Sequence, residues 1–380
     1  MSGSITMTGV TGDAALARLI QDSATIHGRL DKLTNQVSTG LVGDTYAGLG
    51  TGAPVSLDLR PQIANLQAWQ NNVDAVTGRM SVAQTALTQL QSTAANFYAQ
   101  LNNVQGVASS EIDSIAANAR DALGQVASLL DTQDGGVYVF AGQDTANPAV
   151  PDPDSIANIA ANPNGFFAQI SAAVGALGVN GAAQTANATY QIATSNAAGT
   201  SPFSAYLSQP SATLQANPPV VQVGQNKTEP VGIPASANGL IPDSVSSGNT
   251  IVGGPPSTTG SYMRDVLRAL ATIGSLSSSQ ANDPGFDDLV QDTRVSLSAA
   301  VGAMAQDAGV LGNVQSSLTA TQTQLGDTQT ALTGQVSSAE DVDMAATLSQ
   351  LSQVQTQMQA SYQLIATLSG LSLAKFLPAA

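Results

Sequence analysis

The chain has 380 residues with 26 acidic and 11 basic side chains, a formal net charge of −15. Such a balance repels phosphate backbones and anionic lipid, and the basic residues are scattered, so neither nucleic acid nor a membrane surface is an expected partner. It contains no Cys and a single His, His27, which removes disulfide frameworks, thiolate metal sites, thiol nucleophiles and multi-histidine centres.

The N-terminal segment from Met1 to Asp22 lacks a basic start followed by an apolar run, with Asp13 where that run should lie, so no cleavable secretory signal is expected. No run approaches the ~18 apolar residues of a membrane-spanning helix. From Leu16 the positions Leu16, Leu19, Ser23, Ile26, Leu30, Leu33 and Val37 alternate spacings of 3 and 4. Six of the seven are apolar, the narrow seam of a coiled coil. A helical run follows through Leu59, Ile63, Leu66, Val73, Val76, Met80, Leu87, Leu90, Phe97, Leu101 and Val104, then another through Ile112, Ile115, Leu123, Val126 and Leu129.

The character changes at Asp134. A Gly135-Gly136 turn precedes Val137-Tyr138-Val139-Phe140-Ala141-Gly142, a β-branched and aromatic run that reads as one strand of a hairpin. Thirteen of the seventeen prolines lie between Pro148 and Pro256. Proline removes a donor and clashes with the preceding turn, so helical flanks surround a Pro/Gly-rich insert. That insert, residues 143–260, is expected to be a mainly β or mixed domain with long loops and a strand at Val220-Val221-Gln222-Val223. Helix resumes at Ser261–Ile273, with Met263, Val266, Leu267 and Leu270 on one face. It continues through Leu289, Val295, Leu297, Val310, Leu311, Val314, Leu318 and Leu325. A last seam runs Met344, Thr347, Leu351, Val354, Met358, Ser361, Ile365, Leu368 and on into Leu371, Leu373, Phe376 and Leu377.

The expected fold is mainly α, a long helical coiled coil or bundle built by the N- and C-terminal segments around the insert. Its expected parts are a seam helix in 1–45, long helices in 46–142 and 261–328, the insert between them, and a second seam helix in 329–380. Each seam is too narrow to be buried alone, so the two are expected to pack on each other and to order on assembly. The outward faces carry Gln, Thr, Ser, Asn and Ala rather than Glu and Lys, which suits packing against further subunits.

No reaction chemistry emerges. A Ser–His–Asp arrangement would have to recruit His27, which sits within the first seam helix, and no Gly-x-Ser-x-Gly elbow accompanies it. Glu340, Asp341 and Asp343 favour the first turn of the last helix through its macrodipole. Asp152 and Asp154, set between Pro151 and Pro153, read as a solvated loop, and Trp69 as a packing residue. Gly253-Gly254-Pro255-Pro256 has no Lys-Ser or Lys-Thr after it and is no phosphate cradle. Neither an enzyme activity nor a cofactor or metal is expected.

Leu30-Asp31-Lys32-Leu33-Thr34-Asn35-Gln36-Val37-Ser38-Thr39-Gly40 resembles the N-terminal motif of the flagellin superfamily of bacterial axial proteins, in which a seam helix closes on Ser-Thr-Gly. Gln357-Met358-Gln359-Ala360-Ser361-Tyr362 through Leu371-Ser372-Leu373 and the element Gly136-Val137-Tyr138-Val139-Phe140-Ala141-Gly142 resemble the hook–filament junction branch of that superfamily. The likeness covers roughly the first 145 and last 115 residues. After Gly40 the chain departs from the family pattern, reading Leu41-Val42-Gly43-Asp44-Thr45-Tyr46-Ala47-Gly48 without the usual basic residue.

The resemblance implies a structural subunit of the flagellum, exported unfolded through the flagellar type III channel and lying outside the cell. It implies as partners copies of itself, hook-associated protein 1, flagellin and an export chaperone. The assembly interface is then expected at Leu16, Leu19, Ile26, Leu30, Leu33, Val37, Met344, Leu351, Val354, Met358, Ile365, Leu368, Leu371 and Phe376. A filament subunit is the alternative. A secreted adhesin is a further one, which the turn-rich insert permits but no aromatic platform supports.

Overall fold

The computed structural model describes residues 8–104, 109–238 and 251–374. The protein is mainly α and divides into two compact units, one made by the chain up to Gln67 and from Gly326 onward, the other by Ala68–Leu325.

In the first unit, α1 (Thr8–Thr39) and α10 (Met344–Ala374) pack along each other. The one-turn helix α2 (Tyr46–Leu49) lies between α1 and α3, the 52-residue helix Ala53–Val104. This helix begins before the Leu59 at which its apolar rhythm becomes clear and runs through Pro61. The helix that precedes α10 is α9 (Phe286–Glu340).

α1 ends where Gly40 enters the left-handed region at φ +74° and its N–H donates to Gln36 O at 2.8 Å. A side chain with a Cβ is disfavoured there, which is why the Ser-Thr-Gly ending closes a helix. The acidic run before α10 divides its work. Asp343 Oδ1 accepts from Ala345 N at 2.9 Å and Ala346 N at 3.0 Å, capping the helix start. Glu340 instead closes α9.

In the second unit the same two long helices run antiparallel, as their cross-links show. Gln322 Nε2 donates to Asp74 Oδ1 at 3.0 Å and Arg294 Nη1 to Asn102 Oδ1 at 2.7 Å. Of the predicted apolar positions of α3, Val73, Val76, Met80, Leu87, Leu90, Phe97 and Leu101 are buried here, whereas Leu59 and Ile63 nearer its start are half-buried and the side chain of Val104 lies outside the described residues. On α9, Leu289, Leu297, Leu311, Leu318 and Leu325 are buried, whereas Val310 is 56% exposed because its neighbour Leu311 takes the inward position. α4 (Ser109–Leu130) buries Ile112, Leu123 and Val126 together with four alanines, Ala116, Ala119, Ala122 and Ala127.

The predicted hairpin is present but short. β1 (Gln133–Asp134) pairs antiparallel with β2 (Val137–Tyr138) across Gly135 and Gly136, both at positive φ, the geometry of a tight primed turn. Val139, Phe140 and Ala141 then plunge into the core, where Phe140 O accepts from Ala235 N at 2.9 Å.

The insert is mixed, with more helix than its prolines suggest. It holds α5 (Phe166–Gly175), α6 (Leu177–Thr194, broken at Gly181), α7 (Ser211–Ala216) and a two-stranded ribbon of β3 (Val220–Gln222) and β4 (Thr228–Pro230). The predicted strand at residue 220 is therefore found, as the first half of that ribbon. The predicted helix at 261 is α8 (Tyr262–Gly274), whose N-cap Ser261 side chain accepts from Arg264 N. All thirteen of its residues are buried, so it is a core helix with no solvent face.

Candidate assembly interface

The pairing of α1 with α10 is antiparallel. The link after α1 meets the link before α10 in a Leu41–Asp341 bridge, and further out His27 meets Tyr362. The stripes face each other as the heptad rhythm requires. On α1, Ser23 is buried and Leu19, Ile26, Leu30, Leu33 and Val37 are half-buried. On α10, Thr347, Val354 and Ser361 are buried and Leu351, Met358 and Ile365 half-buried. Small polar residues thus occupy the tightest points of the seam, where they let the backbones approach while the leucines close over them. A polar residue at such a position also fixes register.

Met344 departs from this stripe. It is the first residue of α10, precedes Thr347, where the helix turns onto the seam, and is 41% exposed. The side chains of Leu16, Leu368 and Leu371, and Phe376 altogether, lie outside the described residues.

The pair does not finish its own burial. Ile20, Leu348, Tyr362 and Leu364 are each about half exposed or more, at 56%, 48%, 47% and 54%. These residues stand off the 3–4 stripe, so counting the dominant seam passes over them. Two apolar positions adjacent in sequence, Leu19-Ile20, were the available sign, since a helix directs neighbours about 100° apart. The exposed residues flank the seam on both sides, Tyr362 and Leu364 lying two residues apart on α10 and so on opposite sides of the stripe.

His27 serves this interface. Its Nε2 is hydrogen-bonded to the Tyr362 hydroxyl and the rings meet edge to face, with centroids 5.8 Å apart. The bond ties residues 335 apart in sequence.

The root of the pair is built from backbone and one carboxylate. Val42 N donates to Glu340 O at 2.7 Å and Val342 N to Gly40 O at 2.9 Å. The Glu340 side chain accepts from Arg60 through both oxygens, Nε at 2.8 Å, and from the buried Ser56 hydroxyl. These bonds, Arg60 first and Ser56 second, hold the Glu340 carboxyl below its ordinary range. Two glycines allow the close approach. A Cβ on Gly43 would stand 2.7 Å from Gly48 C, and one on Gly52 would stand 2.8 Å from Ala339 O.

Two other places in the second unit deserve comparison. A cleft of about 1210 Å³ is lined by Arg120, Gln125, Asp154, Asn158 and Ser277 among others. Arg120 Nη1 is spent on Gly274 O at 2.6 Å, capping the end of α8. Among the described residues no three His, Asp or Glu side chains gather into a metal-binding group.

The second place is a buried ionic cluster on α8, which the sequence reading passed over. Arg268 pairs with Asp292 at 3.2 Å, both side chains at most 5% exposed, and Ser257 Oγ donates to Asp292 Oδ1 at 2.5 Å. Arg264 lies over the Phe203 ring and donates to Ser236 O, Ala193 O and Asn196 Oδ1. Burial lowers its pKa to about 10. Asp265 accepts from Thr259 N at 2.7 Å through one oxygen, while Oδ2 has no hydrogen-bond partner among the described residues. Desolvation raises its carboxyl to about 7. The cluster ties the insert to α8 and α9, and its contacts are structural. The sequence sign was a pair of arginines four apart, Arg264 and Arg268, with Asp265 beside the first, on a largely apolar helix.

Fold and interface together define an axial-type helical subunit whose two chain ends pair in one seam. Residues 17–145 match the bacterial flagellin N-terminal helical region, and residues 296–377 match the bacterial flagellin C-terminal helical region. The two matches together span more than half of the chain and leave out the insert. The chain belongs to the flagellin superfamily and is a structural flagellar subunit. No curated protein is significantly similar to it.

Proposed function

We propose that this chain is hook-associated protein 3, the subunit that joins hook to filament, and that it assembles through the α1–α10 seam after export by the flagellar type III route. One observation supports the assembly role above others: the seam stripe stays half-buried in the pair, at Leu19, Ile26, Leu30, Leu33, Leu351, Met358 and Ile365, so its burial is left for further subunits to complete. The junction role rests on the tail, Ser361-Tyr362-Gln363-Leu364 and Leu371-Ser372-Leu373, and on the Gly136–Gly142 element. Tyr362 is also the residue that meets His27 across the seam.

The mechanism follows from partial burial. A narrow stripe that stays half-buried in the pair stabilises it weakly, and an isolated helix is marginal in water. Ordering of the distal seam then completes on assembly, offset by apolar burial at about 25 cal/mol per Å². Copies of the chain repeat around the axis, with hook-associated protein 1 on one side and flagellin on the other. An export chaperone covers the apolar tail before passage. The role is structural rather than catalytic.

Immunogold labelling of intact cells with antibody to residues 150–255 tests this. The expected result is label confined to one band between hook and filament. Label along the whole filament would instead identify the filament subunit.

A further inference from the structure

Glu340 joins the last turn of α9, the first turns of α3 and the link that follows α1. Its carboxylate is held by Arg60 and Ser56, its carbonyl accepts from Val42 N, and the next residues return a bond from Val342 N to Gly40 O. Gln36 Nε2 adds a bond to Val42 O at 2.8 Å, so the end of α1 grips the same link. The segment around Gly43 is packed backbone to backbone against Gly48, and Gly52 against Ala339. Links between helices usually lie on the surface with few fixed contacts. Both links here are bound to each other, and the residue whose carbonyl takes the Val42 bond carries a buried carboxylate, its side chain 8% exposed, that is gripped from α3.

We propose that Glu340 is a latch that makes the two terminal helices open and close as one body, by fixing both of their roots through a single ion-gripped residue. The chain ends are far apart in sequence, yet neither link can leave without breaking the bridge to the other. Loss of the carboxylate grip lets the end of α9 draw away from α3, and the Val42–Glu340 and Gly40–Val342 bonds are lost together. The latch also sets where order begins for the seam, whichever flagellar subunit the chain forms.

Amide hydrogen exchange of the full-length protein, followed by mass spectrometry, reads this directly. In the wild type the amides of Val42 and Val342, both hydrogen-bonded, are expected to be protected. Glu340→Gln is expected to speed exchange at both by tenfold or more and by similar factors, with peptides from α4 to α8 unchanged. Arg60→Lys keeps the charge but removes the two-pronged grip, and is expected to speed the same two amides by a smaller factor; it carries the test should Glu340→Gln fail to fold. Opening of one link without the other, no change at either, or faster exchange throughout the chain would each overturn the latch.

Discussion

Removing Asp292 isolates the effect of burial on an ion pair. Its partner Arg268 is 5% exposed at the side chain. In an Asp292→Ala variant, Arg268 would keep Ser257 O at 3.1 Å, Thr189 Oγ1 at 3.3 Å and Ala186 O at 3.4 Å, together with the Tyr190 ring at 5.8 Å. Those dipoles do not neutralise a full charge in a buried site. Breaking a buried pair by deleting one partner costs about 3–5 kcal/mol. Replacing both charges with apolar residues removes the uncompensated cation, so Arg268→Met with Asp292→Leu is expected to be less destabilised than Asp292→Ala alone. Trp69, the sole tryptophan, lies in the same compact unit, so urea unfolding followed by its fluorescence reports the change. A loss below about 1 kcal/mol for the single variant, or a double variant worse than the single, would refute the reasoning.

Further outcomes follow from groups already described. Burial raises the Asp265 carboxyl to about 7 in the folded chain against the ordinary aspartate value of 3.8. The native state therefore keeps a proton that the unfolded chain releases, and this contribution is full below pH ~4 and is lost as pH rises through ~7. Its span is on the order of 4 kcal/mol. Asp131, raised to about 6 by burial, adds a smaller slope of the same sign. Urea midpoints measured between pH 5 and 8 should fall with pH more steeply in the wild type than in Asp265→Asn; parallel slopes would contradict this. Gly52→Ala and Gly43→Ala each force a Cβ into backbone and are expected to destabilise the root of the seam by about 1–3 kcal/mol. Gly302→Ala, where nothing lies within 4 Å, should be neutral or stabilising in a thermal melt.

The architecture was largely legible because its signals are local. Alternating spacings of 3 and 4 identified both seams, and the stripe that they define is the less exposed one on both helices. A Gly-Gly turn before β-branched residues located the hairpin, and proline density marked the stretch that holds the short helices and the two-stranded ribbon. What escaped depends on contacts distant in sequence. Glu340 reads as a helix-start acid beside Asp341 and Asp343, and only the fold brings Arg60 and Ser56 to it from 280 and 284 residues away. The helices α5 and α6 are rich in alanine, and prolines on both sides masked them. Arg264 and Arg268 were passed over because their partners, from Ala186 to Ser257 and Asp292, are brought to α8 only by the fold.

The central claim is that the α1–α10 seam drives incorporation, and one comparison tests it most directly. Cells carrying Leu351→Asp, which places a carboxylate in the half-buried seam, are compared with cells carrying Met344→Asp, whose position is 41% exposed. Purified hook–filament fractions are then probed with antibody to the insert. The account predicts that Leu351→Asp is absent from the fraction while Met344→Asp is retained. Incorporation of Leu351→Asp at the wild-type level would contradict it.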